Sequence, residues 1–448
     1  MSFQQFFTDE DPRIVGSLQT DPLGLRIVWS GLAHNIFRYR VNSVTNDLRA
    51  YTINLFHYFI VMRVRREMDV SLWSEHFRTK YQLGSHPKFT RSLLVVLEKI
   101  LLVSFCATSK PKDSDGIIGL SNATRLYLQS GKGVPLAFDD VVGEFLVRQV
   151  QLGFSGRYRT AFVQHLKLAD EETGHPFDDP AAWADTAKKF DSIKRFKILG
   201  DLLCQNIRKL LAKKTDDIRQ SDITPEIFEL YVDCFGSRTW IEKEFAPYWN
   251  PILGFDEGET RWLWDTFSPS HDSGGTVYRS ALQAASKAKG DPDGIEVRGI
   301  RQVCELEPYL ARISRIFESL LSIEFRKIDD CAAWVRKCYG DHPLDQVFPN
   351  RAHEIANAIN GEGQERVRTL LLLRDHDPAA LVQEIIAYHS KVSEYRNARP
   401  WIKLAGIYLV REAEFKGSPS CDEDLWAHDY HAFQFANLAN SLKGGSAQ

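Results

Sequence analysis

Several short signatures of enzyme chemistry are missing from the 448 residues. There is no GxxxxGK[ST] loop to cradle phosphates, which argues against a P-loop ATPase. There is no GxGxxG after a strand, no HExxH and no GxSxG, which sets aside several dinucleotide, zinc and serine-nucleophile enzymes. No two cysteines form a CxxC pair. The seven cysteines, at 106, 204, 234, 304, 331, 338 and 421, are scattered and odd in number, which argues against a disulfide framework. Cys331 and Cys338 fall two helical turns apart and read as reduced core thiols, and the cysteine usage as a whole as that of a reducing cytoplasm. Long apolar runs are also absent. Leu93 to Ala107 is broken by Glu98 and Lys99 and falls short of a bilayer span, so it reads as a buried core helix. Met1 to Arg13 is polar and acidic, without the apolar region of a secretory signal. No membrane, no metal and no cofactor is expected.

What is present is the composition of a folded chain: 44% hydrophobic, 12% aromatic and 26% charged. Such a chain buries enough apolar surface to offset its conformational entropy, and its length suggests about two to four domains. The net charge of −3 is unevenly spread. Ile36 to Lys110 holds 12 Lys/Arg against 5 Asp/Glu, and Lys188 to Gln220 holds 10 against 4, so these stretches carry +7 and +6 and the remainder −16. Such asymmetry suits an anionic partner, or basic and acidic parts packed on each other.

Hydrophobic periodicity predicts a mainly α, multi-helical fold of two or more packed domains. Leu25 to Val41, Val44 to Met68, Lys88 to Ala107 and Leu120 to Gln129 have helical spacing, and Asp139 opens another helix that stops at Gly153. Lys188 to Lys214 is the clearest amphipathic helix. Thr224-Pro225 and Asp377-Pro378 read as helix starts with proline at the first helical position. Gly299 to Ile328 is a long helix with Pro308 as a kink or restart. Pro400 to Phe415 alternates around Ala405-Gly406 and predicts a β-hairpin at about 400–416. The resulting partition is a basic helical domain over 1–170, a middle segment with a Trp-rich end over 181–265, a linker or mobile loop over 266–298, and a C-terminal helical domain with the hairpin over 299–448.

Several constellations carry possible chemistry. Gly153 to Arg159 joins a Gly-Ser turn to Arg157, Tyr158 and Arg159; backbone N–H groups at a helix start and flanking arginines suit a phosphate, and the tyrosine a base. A helix corner with solvated arginines is the plain alternative. Arg38, Arg40, Arg63, Arg65 and Arg66 interleave with aromatics, as on a nucleic-acid surface, or snorkel from a core rim. Lys194, Arg195, Lys197, Arg208 and Lys209 decorate the polar face of the amphipathic helix. Arg159 and His165 fit the R-x(4–6)-H spacing of the helical HEPN ribonucleases, without the polar partner usually found after the arginine. His376-Asp377 and His428-Asp429, with His431, resemble the pairs of HD-type metal hydrolases, yet Asp377 reads better as an N-cap and the others as a solvated helix face. Glu412, Glu414 and Lys416 resemble the ExK half of a PD-(D/E)xK nuclease, or a charged edge strand. Gly156 to Arg159 and Tyr388 to Trp401 resemble in style the helical accessory subunits of bacterial anti-phage systems, over a small part of the chain.

The leading expectation is therefore a non-catalytic helical subunit. It binds nucleic acid or another polyanion through the basic N-terminal half and meets protein subunits through the acidic, Trp-rich C-terminal half. A metal-dependent nuclease or phosphohydrolase, and a pure interaction scaffold, are the alternatives.

Overall fold

Asp47 accepts the Ala50 N–H at 3.1 Å and opens the helix Leu48–Glu67, in which every residue from Leu48 to Met62 is buried. A helix buried on all sides must lie inside a bundle, and this one does. The computed structural model describes all residues except 1–20, 44, 46, 68, 82–85, 131–133, 139–144, 146–152, 171–175, 177–178, 180, 268–273, 289–296, 323, 413–418, 420, 422–425 and 447–448. Among the described residues the chain is helical apart from one two-stranded antiparallel hairpin. No helix of the described residues is long and apolar enough to cross a membrane. The chain divides into two compact units that are not consecutive in sequence: residues 38–255 with 434–448, and residues 1–37 with 256–433.

In the first of these, the helices His86–Ala107, Phe154–Thr160, Ala184–Ser192, Lys194–Leu211 and Arg238–Leu253 surround Leu48–Glu67. Their contact is aromatic: Phe56 lies 5.1 Å from Phe190 and 5.3 Å from Phe196, and Phe196 5.4 Å from Phe245, all edge-on. Edge-to-face pairs at such separations add to the stabilisation from buried area. Two of the polar groups this burial traps are met internally. The Trp249 indole N–H donates to Thr52 at 3.0 Å, and the fully buried Lys99 donates to the Ala137 carbonyl at 3.2 Å. Gly254 ends Arg238–Leu253 in the left-handed region at φ 51, where only glycine is unstrained.

The other unit is built on Arg298–Leu320, which packs against Arg26–Phe37, Gly274–Lys287, Ala352–Ala358 and Pro378–Tyr395. Pro308 lies inside this helix, which runs through it. Pro378 starts its helix at the first position, and Asp377 accepts from Ala379 N–H at 2.8 Å and Ala380 N–H at 3.0 Å, the expected cap. The strands Ile402–Ala405 and Tyr408–Arg411 pair as Ile402 with Arg411 and Ala405 with Tyr408, which leaves Gly406-Ile407 as a two-residue turn. His389 bridges two distant segments. Its Nε2 accepts the Trp401 N–H at 2.7 Å, so its Nδ1 carries the proton and donates to the Pro22 carbonyl at 2.8 Å.

The stretch 266–298, in which the Ala-rich run around 280–288 reads as helical, contains the helix Gly274–Lys287, which buries Val277, Tyr278, Ala281 and Ala285; 268–273 and 289–296 lie outside the described residues. One expectation is corrected, that of the cysteines. Cys338 and Cys421, Cα atoms 5.4 Å apart and 83 residues apart in sequence, form a disulfide, while Cys331 is buried and free. Spacing on one helix pointed to Cys331 and Cys338 because the true partner is too far along the chain to show in a local pattern. Alkylation of the denatured but unreduced protein is expected to label the five remaining cysteines, and all seven after reduction, read by mass spectrometry. Seven labels without reduction would exclude the bond. Cys338→Ser is expected to lower the stability of this unit by about 2–4 kcal/mol.

Candidate functional site

The basic residues of the 38–255 unit divide sharply by environment. Arg40 is only 6% exposed; it donates to the carbonyls of Leu253 and Gly254 and stacks 4.8 Å over the Phe255 ring. It closes the C-terminal end of a helix, where a cation complements the dipole, and cannot reach a phosphate. Tyr158 is fully buried against Tyr51 at 4.9 Å and has no face for a base. Arg63 pairs with Glu67 at 3.1 Å and Asp201 at 2.9 Å, and Arg208 with Glu67 at 2.9 Å. Arg65 donates to the Pro176 carbonyl at 3.1 Å. Arg195 lies 3.1 Å from the centre of the Trp240 ring. Burial corrects the expected contacts at Arg40 and Tyr158, while Arg63, Arg65, Arg195 and Arg208 have part of their donors or faces engaged by carboxylates, a carbonyl or an indole.

The remaining expected positions stay at the surface. Arg38, Arg66, Arg159, Lys194, Lys197 and Lys209 are exposed, and Arg157 is half-buried with its Nε lacking a hydrogen-bond partner. Lys194, Lys197 and Lys209 share one face of the helix Lys194–Leu211 and have no ion-pair partner among the described residues. Between them the Arg63–Asp201 and Glu67–Arg208 pairs tie this helix to Leu48–Glu67.

Chemistry suggested by other motifs fares differently. His165 has its Nε2 2.9 Å from the Ile252 carbonyl, and burial together with Arg40, Arg38 and Lys167 lowers its pKa. One of its two ring nitrogens, Nε2, is thus occupied by the protein itself. Asp377 is a helix cap, as above. His428, Asp429 and His431 stand in irregular and turn backbone, not on a helical face, and no described group of three or more His, Cys, Asp or Glu is placed to hold a metal. Glu412 is exposed and its N–H donates to the Trp401 carbonyl at 2.8 Å; Glu414 and Lys416 lie outside the described residues.

Sequence reading missed a buried carboxylate in the unit of residues 1–37 and 256–433. Glu307, fully buried in the helix Arg298–Leu320, accepts four hydrogen bonds: from Ala427 N–H at 2.6 Å, His428 N–H at 2.9 Å, the Trp29 indole at 3.2 Å and the Tyr430 hydroxyl. The segment 426–431 is thereby strapped to the helix. Tyr430 and His431 both adopt left-handed backbone, at φ 46 and 63, a strained state for such side chains. The strap is held from the other side too. The Tyr278 hydroxyl donates to the Tyr430 carbonyl at 2.7 Å, and a Cβ on Gly275 would stand 2.8 Å from the Trp426 ring. The signal for Glu307 was its place on the apolar stripe, one turn from Val303 and Leu310, where a carboxylate needs donors to be tolerated.

Desolvation raises Glu307 to about 7, against the pull of its donors. Burial lowers His428 to about 4 and His431 to about 3, and lowers His34 and His389 as well. All four Glu307 bonds are donated to it, so the site is a saturated acceptor that holds the strap, and has no free lone pair aimed at a substrate.

A second missed feature is an open cleft of about 920 Å³ in the 38–255 unit, lined by Leu72, Trp73, Ser74, His76, Ala212 and Lys214 among others. No family model matches the sequence, and no curated protein or solved structure is significantly similar to it. What the fold itself defines is a mainly α-helical chain of two compact units, one presenting a partly neutralised basic helix face beside a cleft.

The carboxylate and the imidazoles oppose each other in pH dependence. Glu307 holds its proton more tightly folded than unfolded, so its contribution grows as pH falls from about 7 toward its ordinary value of 4.5. The histidines protonate more readily unfolded, so theirs is present above 6.5 and lost as pH falls. Glu307→Gln is expected to destabilise the unit, because an amide cannot accept from all four donors, by about 1–3 kcal/mol. The gap between wild type and the variant is expected to widen by about 2 kcal/mol between pH 7 and 5, read by urea unfolding. A gap constant with pH would show that Glu307 is ionised throughout this range.

Proposed function

We propose that the 38–255 unit binds a polyanion, with a nucleic-acid backbone as the ligand class, and that the chain serves as a non-catalytic subunit of a protein assembly. The observation that carries the reading is the exposed face of Lys194–Leu211: Lys194, Lys197 and Lys209 stand there without ion-pair partners among the described residues. At 1.5 Å per residue they cover about 22 Å along the helix, several phosphates of a nucleic-acid strand. The neighbouring cations, Arg63 and Arg208, are neutralised by Asp201 and Glu67, and these pairs fix the helix on its support. The sequence reading is thereby narrowed from a whole basic half to three lysines, with Arg66 and Arg159 exposed elsewhere on the same unit. The assembly part draws on the hairpin, where Ile407, Tyr408 and Val410 are each about half exposed; clustered apolar side chains at a surface mark contacts with other proteins.

The test is fluorescence anisotropy with labelled single- and double-stranded DNA and RNA at two salt concentrations. Wild type is expected to bind, and more weakly as salt rises. The combined Lys194→Ala, Lys197→Ala and Lys209→Ala variant is expected to lose about tenfold or more in affinity and to flatten the logarithmic salt slope by about two. These side chains are exposed, so circular dichroism is expected to be unchanged. No wild-type binding at low salt, or an unaltered slope in the variant, overturns the reading.

A further inference from the structure

The bond from His165 Nε2 to the Ile252 carbonyl leaves Nδ1 as the open nitrogen of the ring, without a partner among the described residues. A carbonyl only accepts, so Nε2 carries the proton and Nδ1 presents a lone pair. The charges that His165 feels most are all positive: Arg40, Arg38 and Lys167. Arg40 is bound to the Leu253 and Gly254 carbonyls, next to the carbonyl that holds His165, so one helix end brings the two segments together. Arg38 and Lys167 differ from this pair. Each stands two residues from one of its members and is exposed, and neither side chain has a hydrogen-bond or ion-pair partner among the described residues. Like charges gathered in this way repel one another, and an anion between them removes the repulsion.

The segments that carry these side chains are unusual in backbone. The helix Phe154–Thr160 runs on into the π-helical turn Ala161–His165, where the Leu166 N–H donates to the Ala161 carbonyl, five residues back, at 2.9 Å. Widened turns of this kind recur at functional sites. Lys167 then lies in the left-handed region at φ 52, and Arg38 and Tyr39 do so at φ 46 and 64. A left-handed residue commonly ends a helix, but glycine or asparagine fills that place at less cost. Here both places keep a long cationic side chain in spite of the strain, and strained residues cluster where ligands are clamped.

We propose that Arg38, Lys167 and the Nδ1 edge of His165 form a binding site for a single phosphoryl group. The guanidinium offers paired donors that match phosphate oxygens, and the ammonium a point charge. The imidazole nitrogen accepts from a protonated phosphate oxygen, or donates once the ring itself is protonated. Arg40, buried on its carbonyls, adds charge without reaching the surface. None of these residues belongs to the lysine face of Lys194–Leu211, so the site does not rest on the polyanion reading. The group can come from free phosphate or from the phosphate ester of a nucleotide.

The experiment titrates inorganic phosphate into wild type, the Arg38→Gln and Lys167→Gln double variant, and the triple lysine variant. Binding is followed by the imidazole proton resonances of His165, assigned through His165→Gln. A saturable shift is expected in wild type and in the lysine variant. The double variant is expected to bind about tenfold or more weakly, with an unchanged circular dichroism spectrum. Sulfate is expected to compete, and chloride at equal ionic strength is not. A nucleoside monophosphate separates the two sources: tighter binding than phosphate assigns the ester, weaker binding assigns the free ion, and either sustains the site. If phosphate leaves the His165 resonances of wild type unmoved, or binds the double variant as tightly as wild type, the proposal is overturned and the reading of the lysine face is untouched. Displacement of phosphate by the parent nucleoside, or loss of the shift in the triple lysine variant, overturns it as well.

Discussion

A charge taken out of water must be met inside the protein, and most of the architecture described here follows from that constraint. Arg49 is 1% exposed and lives by donating to the carbonyls of Asp113, Asp115 and Phe235. In doing so it folds the loop after His86–Ala107 onto the bundle. Arg40 closes a helix end, Lys99 reaches the carbonyl of Ala137, and Glu307 gathers four donors. Each buried ion organises a piece of backbone that has no regular structure of its own. Charges that escape this demand remain at the surface, and Lys194, Lys197 and Lys209 are among them.

The two units meet the constraint in different ways. The central helix of the 38–255 unit is buried from Leu48 to Met62, and Arg49, Thr52 and the His57 Nε2 find partners on the surrounding elements, while the Asn54 amide has none. The helix Arg298–Leu320 is amphipathic, and Glu307 intrudes on its buried stripe. One misplaced carboxylate then fixes a six-residue strap and tolerates two residues of left-handed backbone within it. The energetic risk is concentrated there, since loss of a single acceptor leaves several buried donors unmet.

What was legible in the sequence is what depends on near neighbours. The cap at Asp377 with Pro378 and the hairpin turn at Gly406 are set by residues within a few positions of one another, and each stands as read. The periodic stretch Lys188 to Lys214 is helical over Lys194–Leu211 but is broken at Ile193, whose extended backbone ends the preceding helix Ala184–Ser192. What was not legible depends on partners far along the chain. Nothing near Arg63 announces Asp201, nothing near Cys338 announces Cys421, and Tyr158 between two arginines looks like a base-stacking residue until Tyr51 is seen against it. A count of Lys and Arg in a stretch reports charge before pairing, whereas a surface presents charge after it. The wall formed by Leu72 and Trp73 carried no pattern at all, as a two-residue apolar step has no period.

The unit of residues 1–37 and 256–433 also has a consequence for how the protein is made. Arg396 and His389 hold Asp21 and Pro22 across 375 and 367 positions of sequence, and Glu307 holds Trp29 across 278. Arg26–Phe37 therefore leaves a ribosome well before the helices it packs on. At about 5–20 residues per second Arg298–Leu320 begins to emerge roughly 13–50 seconds later. During that interval Val28, Leu32, Ile36 and Phe37 have no core of their own unit to enter, while the 38–255 stretch between them can already fold. The apolar face of one short helix is thus a waiting end, closed only once the last third of the 448 residues is made.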